Sequence, residues 1–187
     1  MTDIIDSIIA ATILPLLPKI VTPNHITAFR FATIPFVVYF LVTGEYFFGT
    51  VLFVISALSD GIDGALARTK NMVTDWGKMY DPLADKLLIG SAAAILVSKY
   101  LSHELALAII LIELIIVIEA FYRKRFLGRD IQARMAGKIK MCFQVLGVFF
   151  LMLFVLVGTP WLLVAAEWTL YVSILFALVG LFVYRSI

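Results

Sequence analysis

Long apolar runs, separated by short polar breaks, dominate the chain. Six of them, at 23–43, 46–67, 77–98, 104–122, 138–157 and 161–184, approach the ~20 residues that a helix needs to cross a bilayer. Residues 3–17 behave differently: acidic Asp3 and Asp6 are set among apolar positions, and the segment stops at Pro15 and Pro18. That pattern is too short and too interrupted to span, and it predicts a helix lying in the membrane interface. The expected architecture is an all-α membrane protein with six transmembrane helices plus a short N-terminal interfacial helix. It forms one domain over 1–187, with the interfacial helix in 1–20 and the six-helix bundle in 23–187.

Two prolines sharpen the helix predictions. Pro23 suits a first helical turn, with Thr22 as its cap. Pro82 falls inside the third run, where the lost backbone hydrogen bond is expected to bend the helix beside a polar cavity.

Composition agrees with the pattern. At 63% hydrophobic and a mean hydropathy of +1.04, the chain is too apolar for a soluble domain of its length. A single cysteine, Cys142, excludes an intramolecular disulfide and a thiolate metal site, and it reads as small core filler. The acidic start does not read as a signal peptide. Of the 15 Lys and Arg residues, only Lys99 falls on the side of the first, third and fifth connections. The positive-inside rule then predicts that both termini and the polar motif described next are cytoplasmic. A net charge of +2 gives no reason to expect a nucleic-acid partner.

The candidate chemistry sits in Asp60–Asp85. Its pattern is D-x2-D-G-x2-A-R-x8-G-x3-D-x3-D, made by Asp60, Asp63, Gly64, Ala67, Arg68, Gly77, Asp81 and Asp85. Residues three and four apart share a helix face, so Asp60 pairs with Asp63 on one helix and Asp81 with Asp85 on the next. Charges at this depth are costly, ~2.5–3.5 kcal/mol each on insertion scales, and usually mark a function. Four carboxylates brought together need positive charge among them. Their hard oxygens suit Mg²⁺, Mn²⁺ or Ca²⁺ better than zinc or copper. Asp75 reads equally well as a cap. Arg30, two turns into the first helix, is either a snorkelling interface residue or part of the site. Glu113, deep in the fourth run, has to be buried against a partner or protonated. Between the fourth and fifth runs lie Arg123, Lys124, Arg125, Arg129 and Arg134, with Lys138 and Lys140 at the start of the fifth. Some of these fix topology on anionic lipid, whereas Lys138 and Lys140 stand at a helix mouth.

This motif resembles the signature of the class I CDP-alcohol phosphotransferases, and PNxxTxxR at the first helix resembles the same family. The resemblance implies a CDP-linked donor, CMP as leaving group, and two ions, Mg²⁺ or Mn²⁺, on the pyrophosphate. It implies Asp60, Asp63, Asp81 and Asp85 as metal ligands, with Asp85 also the catalytic base. Asp60, Asp63, Gly64, Ala67, Arg68, Asn24 and Arg30 would form the CDP-binding set. The stretches DPLADKLL and GKIK look like the phosphatidylglycerophosphate synthase branch, in which glycerol 3-phosphate attacks CDP-diacylglycerol. Arg125, Arg134, Lys138 and Lys140 would then hold the acceptor phosphate. Ile118 before Glu119 departs from that branch, which carries arginine there. Inositol phosphate, or phosphatidylglycerol as in cardiolipin synthases, are the alternative acceptors. Membrane lipids and a second copy of the chain, as a homodimer, are the other expected partners. A cation transporter built on the aspartates is the remote alternative. It would spread acidic residues through the membrane depth and gives no reason for Ala67-Arg68.

Overall fold

The computed structural model describes residues 22–69, 75–126 and 135–183. The predicted interfacial helix of residues 1–20 lies outside them. Six helices make up the described chain: α1 (Pro23–Thr43), α2 (Tyr46–Thr69), α3 (Asp75–Tyr100), α4 (His103–Phe126), α5 (Met135–Val157) and α6 (Pro160–Val183). Four of them, α1, α2, α5 and α6, are long and apolar enough to cross a membrane. Each of the six matches a predicted apolar run to within a few residues.

Local chemistry sets the ends. Thr22 is extended at φ −107° and ψ 159° immediately before Pro23, whose missing N–H costs nothing in a first turn. The N–H of His25 donates to the Thr22 carbonyl at 3.0 Å, and the Thr22 N–H donates to His25 Nδ1 at 3.4 Å. At the other end Gly44 takes φ +88° and its N–H donates to the Phe40 carbonyl, closing α1 with a left-handed residue. Gly158, at φ +75°, does the same between α5 and α6. Helix α3 continues through Pro82 as one element.

Internal packing divides the chain into two units, one ending at Leu88 and the other beginning at Ile89, within α3. In the first unit α1 and α2 form an antiparallel hairpin whose contact face is small and partly polar. Gly49, Phe53, Ser56, Ser59 and Asp63 recur on one buried side of α2, while Val51, Ile55 and Leu58 are exposed on the other. A methyl group at Gly49 would lie 2.9 Å from Leu41 Cδ2, so the hairpin is tight next to its turn. The Thr33 hydroxyl donates to the Arg30 carbonyl and lies 2.8 Å from the Ser56 hydroxyl across the interface. This arrangement is inside-out relative to a soluble domain. Polar groups are buried between helices, and large apolar side chains such as Phe36, Phe47 and Trp168 point outward.

In the second unit α5 and α6 form the corresponding hairpin. Gly147 lies under Leu170, Phe143 stacks on Phe176 with centroids 6.1 Å apart, and Phe150 meets Trp161 edge-on. Cys142, expected in the core, is exposed on α5. Two residues further on, Gln144 takes the buried face, and a helix cannot turn both positions inward.

The α5–α6 hairpin yields a stability test. A methyl group at Gly147 would sit 2.7 Å from Leu170 Cγ and 2.9 Å from Thr169 Oγ1, and Leu170 is fully buried. Overpacking of about 1–3 kcal/mol should exceed the ~1 kcal/mol that alanine gains in helix propensity. Gly147→Ala should therefore lower the melting temperature in detergent. Gly90→Ala, whose methyl group would meet nothing within 4 Å, should hold or raise it.

Candidate active site

The first unit gathers its charged residues around one arginine. Arg30 is fully buried on α1. Its Nη2 donates to Asp60 Oδ1 at 2.9 Å and to Asp63 Oδ2 at 2.8 Å, both on α2. Its Nη1 donates to Asp85 Oδ1 on α3 at 2.8 Å. The fourth aspartate is held by a neighbour: the Thr27 hydroxyl donates to Asp81 Oδ1 at 2.6 Å. Each helix contributes a pair of positions that its own periodicity places on one side. Thr27 and Arg30 come from α1, Asp60 and Asp63 from α2, and Asp81 and Asp85 from α3. Phe31 packs edge-on against Tyr80 beside them, with centroids 6.2 Å apart.

The carboxylates differ in exposure. The side chain of Asp63 is 5% exposed and that of Asp85 18%, whereas that of Asp60 is 47% exposed and forms the open edge. Arg30 makes three single-oxygen contacts rather than a two-pronged one, and its Nε has no acceptor. Pairing is therefore incomplete for a buried guanidinium, whose geometry favours a bidentate partner. Four carboxylates against one guanidinium leave the cluster with an excess of negative charge.

The donor set is of the kind that a hard divalent cation takes, since every donor is a carboxylate oxygen. The spacing is different. Among the described residues no three His, Cys, Asp or Glu side chains are grouped so that they could share one ion as they stand. The Arg30 guanidinium takes the central place.

The other predicted site residues fall as follows. Gly64 and Asn24 are half-buried, Gly64 one residue beyond Asp63 and Asn24 one residue after Pro23. The side chains of Ala67, Arg68 and Arg125, and Arg134 altogether, lie outside the described residues. In the second unit Lys138 is exposed near the start of α5. Lys140 is buried and its Nζ donates to Glu113 Oε1 on α4. Glu113 thus has the buried partner that its depth demanded. The second carboxylate oxygen, Oε2, and Gln144 Nε2 are buried without a hydrogen-bond partner. Sequence reasoning did not find the Arg30–aspartate contacts. The available signal was a lone arginine in an otherwise apolar run, at the helix depth where the acidic pairs also lie.

Residues 20–179 match the family model described as CDP-alcohol phosphatidyltransferase. A CDP-diacylglycerol--glycerol-3-phosphate 3-phosphatidyltransferase of Bacillus subtilis (strain 168) is 33% identical over 183 residues, covering 88% of this chain and 93% of its own length. The protein of the same name from Wigglesworthia glossinidia brevipalpis is 28% identical over 137 residues, 70% of this chain and 75% of its own. That of Escherichia coli (strain K12) is 38% identical over 81 residues, 42% of this chain and 44% of its own.

The Lys140–Glu113 pair can be tested by a double-mutant cycle. Removing one member of a buried ion pair strands the other charge and typically costs about 3–5 kcal/mol. Lys140→Met and Glu113→Gln should each lower the melting temperature in detergent. The double variant should recover most of the loss, and simple additivity would show that the two side chains are not coupled.

Proposed function

The chain belongs to the CDP-alcohol phosphatidyltransferase family, and from that membership we propose that it transfers the phosphatidyl group of CDP-diacylglycerol to glycerol 3-phosphate. The observation that carries this reading is the convergence of Asp60, Asp63, Asp81 and Asp85 beside a buried arginine, in a chain whose helices expose apolar side chains. A cluster of this kind suits phosphoryl transfer from a lipid-linked pyrophosphate, because such catalysis is mostly positioning and charge neutralisation.

The protein is an integral membrane protein. We read all six helices as spans, including α3 and α4, whose polar residues lower their hydropathy. The Lys and Arg distribution supports a cytoplasmic side for both termini and the aspartates as part of this reading.

Asp60, Asp63, Asp81 and Asp85 are the residues that would hold two divalent ions, Mg²⁺ or Mn²⁺. When bound, such ions supply positive charge to the pyrophosphate and to the departing CMP. Gly64, Ala67 and Arg68 follow Asp63 on α2. Small residues there leave room for a flat base or ribose, and Arg68 suits a phosphate. Asp85 is the base: its carboxylate accepts the proton of the acceptor hydroxyl as that oxygen bonds to the phosphatidyl phosphorus. The phosphorus–oxygen bond to CMP breaks in the same displacement. Lys138, exposed on α5, is the described candidate for the acceptor phosphate, with Arg125 and Arg134 proposed beside it on sequence alone. Lys140 supports that group less directly, since its ammonium is engaged with Glu113.

The decisive assay is CMP release from CDP-diacylglycerol by the purified protein with a panel of acceptors. Glycerol 3-phosphate should be the best acceptor. A stronger response to an inositol phosphate or to phosphatidylglycerol would reassign the acceptor and leave the family chemistry in place. EDTA should abolish turnover and Mg²⁺ or Mn²⁺ should restore it; full activity in chelator would remove the metal from the mechanism.

Two substitutions separate the proposed roles. Asp85→Asn should keep CDP-diacylglycerol binding while kcat falls by roughly 10²–10⁴-fold, the usual contribution of a positioned base. Near-normal kcat would assign the proton elsewhere. Lys138→Ala should raise the KM for glycerol 3-phosphate much more than that for the CDP-lipid, and the opposite pattern would place Lys138 on the donor.

A further inference from the structure

We infer that Arg30 is an exchangeable counter-ion of the aspartate cluster: its guanidinium holds Asp60, Asp63 and Asp85 together when no divalent cation is bound, and metal loading displaces it from them. The inference rests on the proposal that these aspartates bind divalent ions, and it adds a role for a residue outside the acidic motif.

Three features support it. The first is position, since three carboxylates from two helices accept hydrogen bonds from one guanidinium at 2.8–2.9 Å. Without a cation there, carboxylates at this separation would repel and push α2 away from α3. The second is incompleteness. Each contact uses one oxygen, and Arg30 Nε is buried without an acceptor, so the guanidinium gives up less on leaving than a fully satisfied one would. The third is access. Asp60 is nearly half exposed, so a hydrated ion can reach the cluster edge while Asp63 and Asp85 remain largely buried. A divalent ion carries twice the charge of the guanidinium and takes more oxygen ligands, so exchange suits a cluster that one arginine leaves underneutralised.

The linkage is reciprocal. A cation occupying the carboxylates weakens metal binding, and metal binding releases that cation. Arg30 is therefore a positioning residue whose removal should tighten metal binding. A residue needed only for packing would loosen it or leave it alone.

The test uses full-length protein in detergent, stripped with EDTA. Mn²⁺ binding is followed by electron paramagnetic resonance of the free ion, and melting temperature is measured with EDTA and with saturating Mn²⁺. Arg30→Gln should bind Mn²⁺ ~10-fold more tightly or better, because a charge in direct contact with the ligands has gone. It should melt well below wild type in EDTA, and saturating Mn²⁺ should close most of that gap. Arg30→Lys keeps the charge but loses the planar fork, so it should lie between the two in both measurements. Equal or weaker Mn²⁺ affinity in Arg30→Gln overturns the inference, as does a melting deficit of the same size with and without Mn²⁺. So does failure of both variants to fold even in Mn²⁺, since metal would then not replace the guanidinium. Asp63→Asn separates the two levels. If it abolishes Mn²⁺ binding while Arg30→Gln leaves affinity unchanged, only the counter-ion role fails. If wild type and Arg30→Gln both show no Mn²⁺ binding, the metal proposal fails and takes the counter-ion role with it.

Discussion

The buried guanidinium of Arg30 is the contact on which the first unit depends. Taking a charged group out of water costs several kcal/mol unless it is paired, and four carboxylates brought together add mutual repulsion. One arginine answers both costs by donating to Asp60, Asp63 and Asp85, while Thr27 one turn earlier holds Asp81. The same contacts join α1, α2 and α3, so helix packing and site assembly are a single event. Helical periodicity makes this possible. Spacings of three or four place each pair of polar residues on one side, and each apolar helix therefore needs only one polar stripe.

The second unit meets the same constraint on a smaller scale. Glu113 and Lys140 are largely buried on α4 and α5 and neutralise each other, one turn from the buried Gln144. The two clusters differ in balance. The Lys140–Glu113 pair matches one charge with one charge, whereas Arg30 pairs with three of the four clustered acids and leaves an anionic excess. A balanced buried pair suits a structural role, and an unbalanced cluster with an exposed edge suits a cation or a charged substrate.

Much of the fold was legible in the sequence because apolar run length and Pro/Gly punctuation are local signals. Pro23, Gly44, Gly158 and Pro160 mark helix ends where the chain shows them. The acidic pairs were legible for the same reason, since face-sharing follows from spacing alone. Partner choice was not legible. Nothing local to Arg30 says that its side chain turns inward onto two other helices rather than outward to an interface, because that depends on how closely α1 and α2 approach. Cys142 was misread for a related reason: an all-apolar helix conceals which of its faces is inside, and only the burial of Gln144 and Lys140 fixes it.

That approach is itself written in residue size. Gly49, Ser56 and Ser59 line the α2 face toward α1, and Thr33 meets Ser56 directly. In a bilayer, apolar side chains gain little by leaving lipid for protein, so association relies on close backbone contact and on hydrogen bonds between helices. Small residues supply the contact and the threonine–serine pair supplies a bond. Larger side chains at these positions would hold α1 and α2 apart and carry the Arg30 guanidinium away from Asp60 and Asp63. The charged cluster then needs the small-residue interface for its reach, and the interface gains from the cluster the ion pairs that apolar contact in lipid cannot provide.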